Sequence, residues 1–113
     1  DSGPLLEGYI LHELRSALAY QNLGGELSYW SVPGAKEIDF IYSKGNRHLG
    51  IEVKNSDKWR PEYAKTLNEL IASKHLRAGI VVYRGKDLYR SGSVRAVPVN
   101  HFLSELYRGF FEF

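Results

Sequence analysis

Across residues 4–20 apolar side chains recur at helical spacing, with Ile10, Leu11, Leu14 and Leu18 on one face, Pro4 in the first turn and Gly24-Gly25 as the stop. Residues 27–32 are rich in strand formers, and residues 37–43 and 48–54 alternate polar and apolar positions in part. These predict three strands, with Val32-Pro33-Gly34 parting the first from the second. Tyr63, Leu67, Leu70 and Ile71 line one side of a second helix over residues 61–74, starting near Pro61. The unbroken apolar run Ala78 to Tyr83, closed by Arg84-Gly85, suits a strand buried on both faces. Residues 88–90 and 94–99 read as short strands around Gly92, and Asn100 is placed to cap a last helix over residues 101–107. The order α-β-β-β-α-β with accessory strands and a C-terminal helix predicts an α/β sandwich, a mixed sheet flanked by helices.

Composition narrows what such a domain can do. A chain of 113 residues, 43% hydrophobic and 25% charged, has material for one core and no second domain. It contains no methionine, even at position 1, so a piece of a longer protein is expected. The absence of cysteine excludes disulfides, thiolate metal ligands and thiol nucleophiles. No apolar run approaches the roughly 20 residues of a membrane-spanning helix, and no signal pattern opens the chain, so a soluble, cytoplasmic protein without a membrane partner is expected. The net charge of +2 is too mild to argue for nucleic acid by itself. Ten of the 15 lysines and arginines follow residue 57, against five acids there. A solvated surface and a phosphate-facing one fit that asymmetry equally well.

The chemistry concentrates on the middle strands. Lys44-Gly45-Asn46-Arg47 has the centre of a two-residue hairpin loop, which pairs Ser43 with His48, Ile41 with Gly50, Asp39 with Glu52 and Glu37 with Lys54. Alternation then sets Asp39, Glu52 and Lys54 on one face, and Ile38, Phe40, Tyr42, Leu49, Ile51 and Val53 on the other. Opposed like charges cost a strand pair about 0.2–1 kcal/mol, and a divalent cation between Asp39 and Glu52 would offset that. Lys54 is placed to act on a water or on a phosphate. At 100° per residue, Ile10, Leu11, Leu14 and Leu18 fall within about 60° of Glu7, so an acid occupies the middle of the first helix's apolar face. Glu13 lies at the edge of that face and is the weaker candidate. His12, His48, His75 and His101 show no metal-ligand spacing and read as surface or edge residues, His48 being on the same face as Glu52. Tyr29-Trp30 reads as core before it reads as a base-stacking platform. Trp59 and Arg60 sit at the mouth of the acid cluster, where nucleic-acid contact and helix-start packing stay equally open, and Lys65 is placed to face the same cleft. No phosphate-cradling glycine loop is present.

An acid in the first helix, Asp39 on the second strand and Glu52-Val53-Lys54 on the third resemble the PD-(D/E)XK nuclease superfamily. Its signature falls on Glu7, Asp39, Glu52 and Lys54, with Ile38 where that family has a proline. More narrowly, Gly-Pro-Leu-Leu-Glu, His-Glu-Leu, Tyr-Trp, Lys-Glu-Ile-Asp-Phe-Ile and Gly-Ile-Glu-Val-Lys-Asn-Ser resemble the uncharacterised domain C-terminal to the AAA-type ATPase module of many prokaryotic ATPases, over residues 3–105. The resemblance implies a restriction-endonuclease-like fold with a four-stranded mixed core sheet. It implies Glu7, Asp39, Glu52 and Lys54 as catalytic residues and Mg²⁺ or Mn²⁺ held by Asp39, Glu52 and Glu7. It further implies a nucleic-acid substrate, DNA before RNA, and an ATPase domain in the same longer chain. A non-catalytic DNA-binding or docking module on the same fold is the competing expectation. A structural, oligomer-forming domain is a third, and an apolar patch from Phe110, Phe111 and Phe113 would favour docking.

Overall fold

Residues 3–22, 24–32, 36–109 and 112–113 are described by the structure, a computed structural model. Helix α1 (Gly3–Gln21) stops earlier than the Gly24-Gly25 pair, because Asn22 takes a left-handed φ of 53° and its N–H donates back to the Leu18 carbonyl. Asparagine tolerates that conformation well enough to end a helix. The strands β1 (Glu26–Val32), β2 (Lys36–Lys44) and β3 (Arg47–Lys54) follow as an antiparallel meander. Gly45, with φ 63°, turns the β2–β3 loop as the first position of a type II′ hairpin requires. A 3-10 turn (Pro61–Ala64) leads into α2 (Lys65–Ala72), so the single helix expected over residues 61–74 is split and shorter. Strands β4 (Ala78–Tyr83), β5 (Tyr89–Ser91) and β6 (Val94–Pro98) precede α3 (Val99–Gly109). That last helix begins directly after Pro98, which places Asn100 inside it and not at its cap.

All six strands form one mixed sheet in the order β1-β2-β3-β4-β6-β5, parallel from β3 through β4 to β6 and antiparallel elsewhere. The crossover through α2 makes the β3–β4 pair parallel. The first four strands are the expected mixed core sheet, and β5–β6 extends it. One core lies under α1 and α3, where Ile10, Leu14, Phe40, Ile51, Val82 and Phe102 meet. The opposite face packs on α2 through Ile41, Leu67, Leu76, Val81 and Val94. Gly50 makes the second contact possible. A Cβ there would stand 2.6 Å from Leu67 Cδ2 and 2.7 Å from Leu76 Cδ1, so only glycine lets α2 lie this close to β3. α1 and α3 are tied by Gln21 Nε2 donating to the Leu106 carbonyl at 2.8 Å and by Tyr107 donating to Glu13. Among the described residues no helix is long and apolar enough to cross a membrane.

Strand β2 departs from simple alternation. Ser28 pairs with Ile41 but Trp30 pairs with Ile38, so Asp39 and Phe40 together oppose the single residue Tyr29. This is a β-bulge, and it reverses the facing of Ile38. Ile38, expected beside Phe40, packs with Ile41 in the core beneath α2. Pro33 and the residues Phe110 and Phe111 lie outside the described residues, as do the side chains of Tyr29 and Trp30.

Candidate functional site

The bulge shapes the acid cluster. The β2–β3 ladder runs from Lys44↔Arg47 to Phe40↔Ile51, and the pairing expected of Asp39 with Glu52 is not a further rung of it. The two residues instead bind each other's strands through their side chains. The Asp39 N–H donates to Glu52 Oε1 at 2.9 Å, and the Val53 N–H donates to Asp39 Oδ2 at 2.8 Å. Backbone donors released by the bulge thus hold two carboxylates side by side where the strands part.

Glu52 is the only buried charged residue among the described ones, at 8% exposure. Its carboxyl is pushed up from 4.5 to about 7. Burial contributes most, followed by the charge of Asp39; the Asp39 N–H and the Lys54 ammonium pull the other way, and the charge of Glu7 adds to the rise. Lys54 Nζ lies 3.8 Å from Glu52 Oε2 and 5.5 Å from the centre of the Tyr63 ring, whose face holds the ammonium over the cluster.

Glu7 enters from α1. It is half-buried and lines, with Pro4, Leu11 and Phe40, a hollow of about 220 Å³. Its charge is the last and smallest of those that raise the Glu52 carboxyl. Yet among the described residues no three His, Cys, Asp or Glu side chains stand close enough to enclose a metal ion on their own. Two carboxylates and a lysine are what the structure brings into contact.

The other sequence candidates sort differently. Glu13 accepts from Tyr107 on the α1–α3 seam, away from the acids. Trp59 stacks on Tyr89 with ring centres 5.8 Å apart and meets Tyr63 and Tyr83 edge-on, so it anchors the segment after β3 to the sheet. Arg60 reaches Glu62 at 3.9 Å, and Lys65 is exposed at the start of α2. His48 has Nδ1 2.6 Å from Ser43 Oγ, near the hairpin end of β3 and distant from Lys54 along the strand. Phe113 packs edge-on against Tyr42 at 5.7 Å, and its carbonyl accepts from Arg47. Sequence reading missed Tyr63 as the seat of Lys54. It also missed Arg84, whose guanidinium donates to Asn55 Oδ1 at 3.0 Å and whose N–H donates to the Ser56 carbonyl, fixing the segment that follows Lys54. Neither was marked by spacing, since both contacts depend on the parallel β3–β4 crossover.

No curated protein matches the chain. Residues 2–102 match a family described as a domain of unknown function, DUF4143, and that span takes in both carboxylates, the lysine, the bulge and all six strands, so the chain belongs to this family.

Proposed function

We propose that the domain is a metal-dependent nuclease of the PD-(D/E)XK kind, hydrolysing phosphodiester bonds in DNA, with Glu7, Asp39, Glu52 and Lys54 as its working residues. One observation carries the reading. Asp39 and Glu52 are held together by backbone N–H groups at the parting end of β2 and β3, with the Lys54 ammonium beside them. Such an arrangement is costly as a purely structural device, because a buried acid next to a second acid resists ionisation at neutral pH. A cation removes that cost.

The donor set fits a hard divalent ion. Mg²⁺ and Mn²⁺ accept one or two carboxylates and complete their shell with water and phosphate oxygens. Zinc asks for three or four protein ligands, usually His or Cys, and no such cluster exists among the described residues. Asp39 and Glu52 would hold the ion, with Glu7 acting on it from α1; bound there, it supplies positive charge that polarises the scissile phosphate. The chain's own residues do the rest. Lys54 places a cation where negative charge grows on the phosphoryl oxygens in the transition state. The Asp39–Val53 and Glu52–Asp39 hydrogen bonds fix both carboxylates in orientation. Trp59 and Arg84 keep the segment after β3 folded back beside the cluster.

The similarity in sequence to domains that follow AAA-type ATPase modules supports an ATPase partner in the same longer chain. Calorimetric titration of the domain with Mg²⁺ and Mn²⁺, paired with cleavage assays on single- and double-stranded DNA and RNA, tests the reading. Metal binding with metal-dependent cleavage upholds it. Metal binding without cleavage, by the domain and by the ATPase-bearing protein alike, replaces it with a non-catalytic DNA-binding or docking module. No metal binding leaves Asp39 and Glu52 as structural acids.

A further inference from the structure

At the hairpin end of β3, opposite Lys54, a hollow of about 350 Å³ opens between the β2–β3 turn and the end of α2. Arg47, His48, Lys74, His75 and Arg77 line it, and none of its lining residues is acidic. Arg47, Lys74 and Arg77 set three permanent cations around one hollow, a local positive field that attracts an anion.

The backbone is arranged to bring them there. Lys74 has a left-handed φ of 66°, which folds the chain back after α2, and its N–H donates to the Ile71 carbonyl. The Arg77 N–H donates to the His48 carbonyl at 2.8 Å, tying the loop to the first residues of β3. Ser43 and Ser73 hydroxyls lie 2.6 and 2.7 Å from the Nδ1 atoms of His48 and His75, which fixes both rings. Neither Lys74 nor Arg77 is ion-paired with a described residue, whereas Arg60 and Arg95 elsewhere have glutamate partners.

We infer that this hollow is a second anion site that grips the phosphate backbone of a nucleic acid, separate from the acid cluster. Ile71 and Leu76 give the hollow its apolar contact and no Phe, Tyr or Trp lines it, so the cations dominate the lining and the phosphates are the recognised group. The preference for a nucleic-acid backbone over a free polyphosphate rests on the phosphodiester reading above. Seven residue steps of β3 separate Arg47 from Lys54, about 23 Å at strand spacing, so the site holds its ligand at a distance from the acids and sets register without touching the chemistry.

The test measures binding of a short fluorescein-labelled DNA duplex by anisotropy in EDTA, across a salt series, on an Asp39→Asn background so that loss of metal chemistry has no bearing on the result. Lys74→Asn with Arg77→Gln is expected to weaken binding at least tenfold at low salt and to reduce the slope of log Kd against log salt by about 2. Lys74→Arg with Arg77→Lys should restore both. Arg15→Gln with Lys86→Gln removes the same charge from positions elsewhere on the surface and should leave the slope unchanged. An unchanged slope in the first variant, or equal losses in the first and third, overturns the site. So does weakened binding of tripolyphosphate by the first variant with duplex binding intact. Amide shifts of residues 74–77 in the unsubstituted protein on adding duplex give a check independent of any variant's folding; no shift there refutes the proposal.

Discussion

Replacing Glu52 with glutamine isolates the energetic cost of the acid cluster. The Glu52 carboxyl is raised from 4.5 to about 7 in the folded protein, with burial as the first cause and the Asp39 charge as the second. The folded state therefore binds a proton that the unfolded state releases across that interval, and stability falls as pH rises through it. The contribution is fully present below pH 4.5 and is lost as pH passes about 7. At ~1.4 kcal/mol per pKa unit, the loss amounts to about 3 kcal/mol, a large share of the 5–15 kcal/mol typical of a domain. The Glu52→Gln side chain would keep an oxygen to accept from the Asp39 N–H and would carry no charge at any pH. Its amide nitrogen would face the Lys54 ammonium, which is part-exposed and able to turn to solvent, so the gain at pH 8 is set at about 1–3 kcal/mol. Urea melts of both proteins from pH 4 to 9 give the comparison. The difference between the two stabilities should be near zero at pH 4.5 and grow to that range by pH 8, equivalent to a Tm rise of roughly 4–13 °C. Parallel profiles across the whole interval would falsify the assignment of a buried, proton-binding Glu52. Saturating Mg²⁺ should narrow the difference at pH 8 by stabilising only the protein that carries Glu52.

Other substitutions test neighbouring steps. Asp39→Asn keeps an oxygen for the Val53 N–H and so should fold, while metal affinity in calorimetry drops at least tenfold and cleavage falls with it. Lys54→Ala should leave metal binding within about threefold and reduce the cleavage rate by about a hundredfold or more, since in the proposed mechanism its charge acts on the transition state. Gly50→Ala drives a methyl into Leu67 and Leu76 and should destabilise the domain by about 1–3 kcal/mol in urea, with α2 the first element to lose amide protection in hydrogen exchange. Tyr42→Phe removes the bond from the Tyr42 hydroxyl to the Gly24 carbonyl, 2.8 Å long, and should lower stability in the same urea melts by about 1 kcal/mol.

Much of this fold was legible because local signals agreed with one another. The run Ala78 to Tyr83 is strand β4 at the expected bounds, and it is buried because both its neighbours are parallel and helices cover both faces. The Gly45-Asn46 loop set the β2–β3 register correctly from Lys44↔Arg47 to Phe40↔Ile51. Errors arose where tertiary context overrode a local rule. Asn100 has the chemistry of a helix cap, but Pro98 already supplies a fixed entry and the helix starts one residue before Asn100. Gly24-Gly25 looked like the stop of α1, yet Asn22 ends it. The basic hollow was invisible because Arg47 and Lys74 are distant in sequence and meet only when α2 crosses over β3.

The bulge at Asp39 and Phe40 is the decisive case, since it is both what periodicity could not show and what gives the site its form. Strict alternation would carry the β2–β3 ladder past Phe40↔Ile51 and spend the Asp39 N–H on a backbone carbonyl. An extra residue in β2 ends the ladder there and leaves donors that the carboxylates of Glu52 and Asp39 accept. The same extra residue sends Ile38 to the α2 core, which pins the strand on both sides of the bulge: Ile38 and Ile41 face one way, and Phe40 and Tyr42 the other. A rigid hydrophobic frame thus surrounds a two-acid gap that is unfavourable at neutral pH without a cation. A sequence under selection for stability alone closes such a gap with Thr or Val, which pair well across strands and cost little to bury. That this one keeps Asp39, Glu52 and Lys54 together, at a cost of about 3 kcal/mol from Glu52 alone, is the physical argument for reading the parted end of β2 and β3 as a working site.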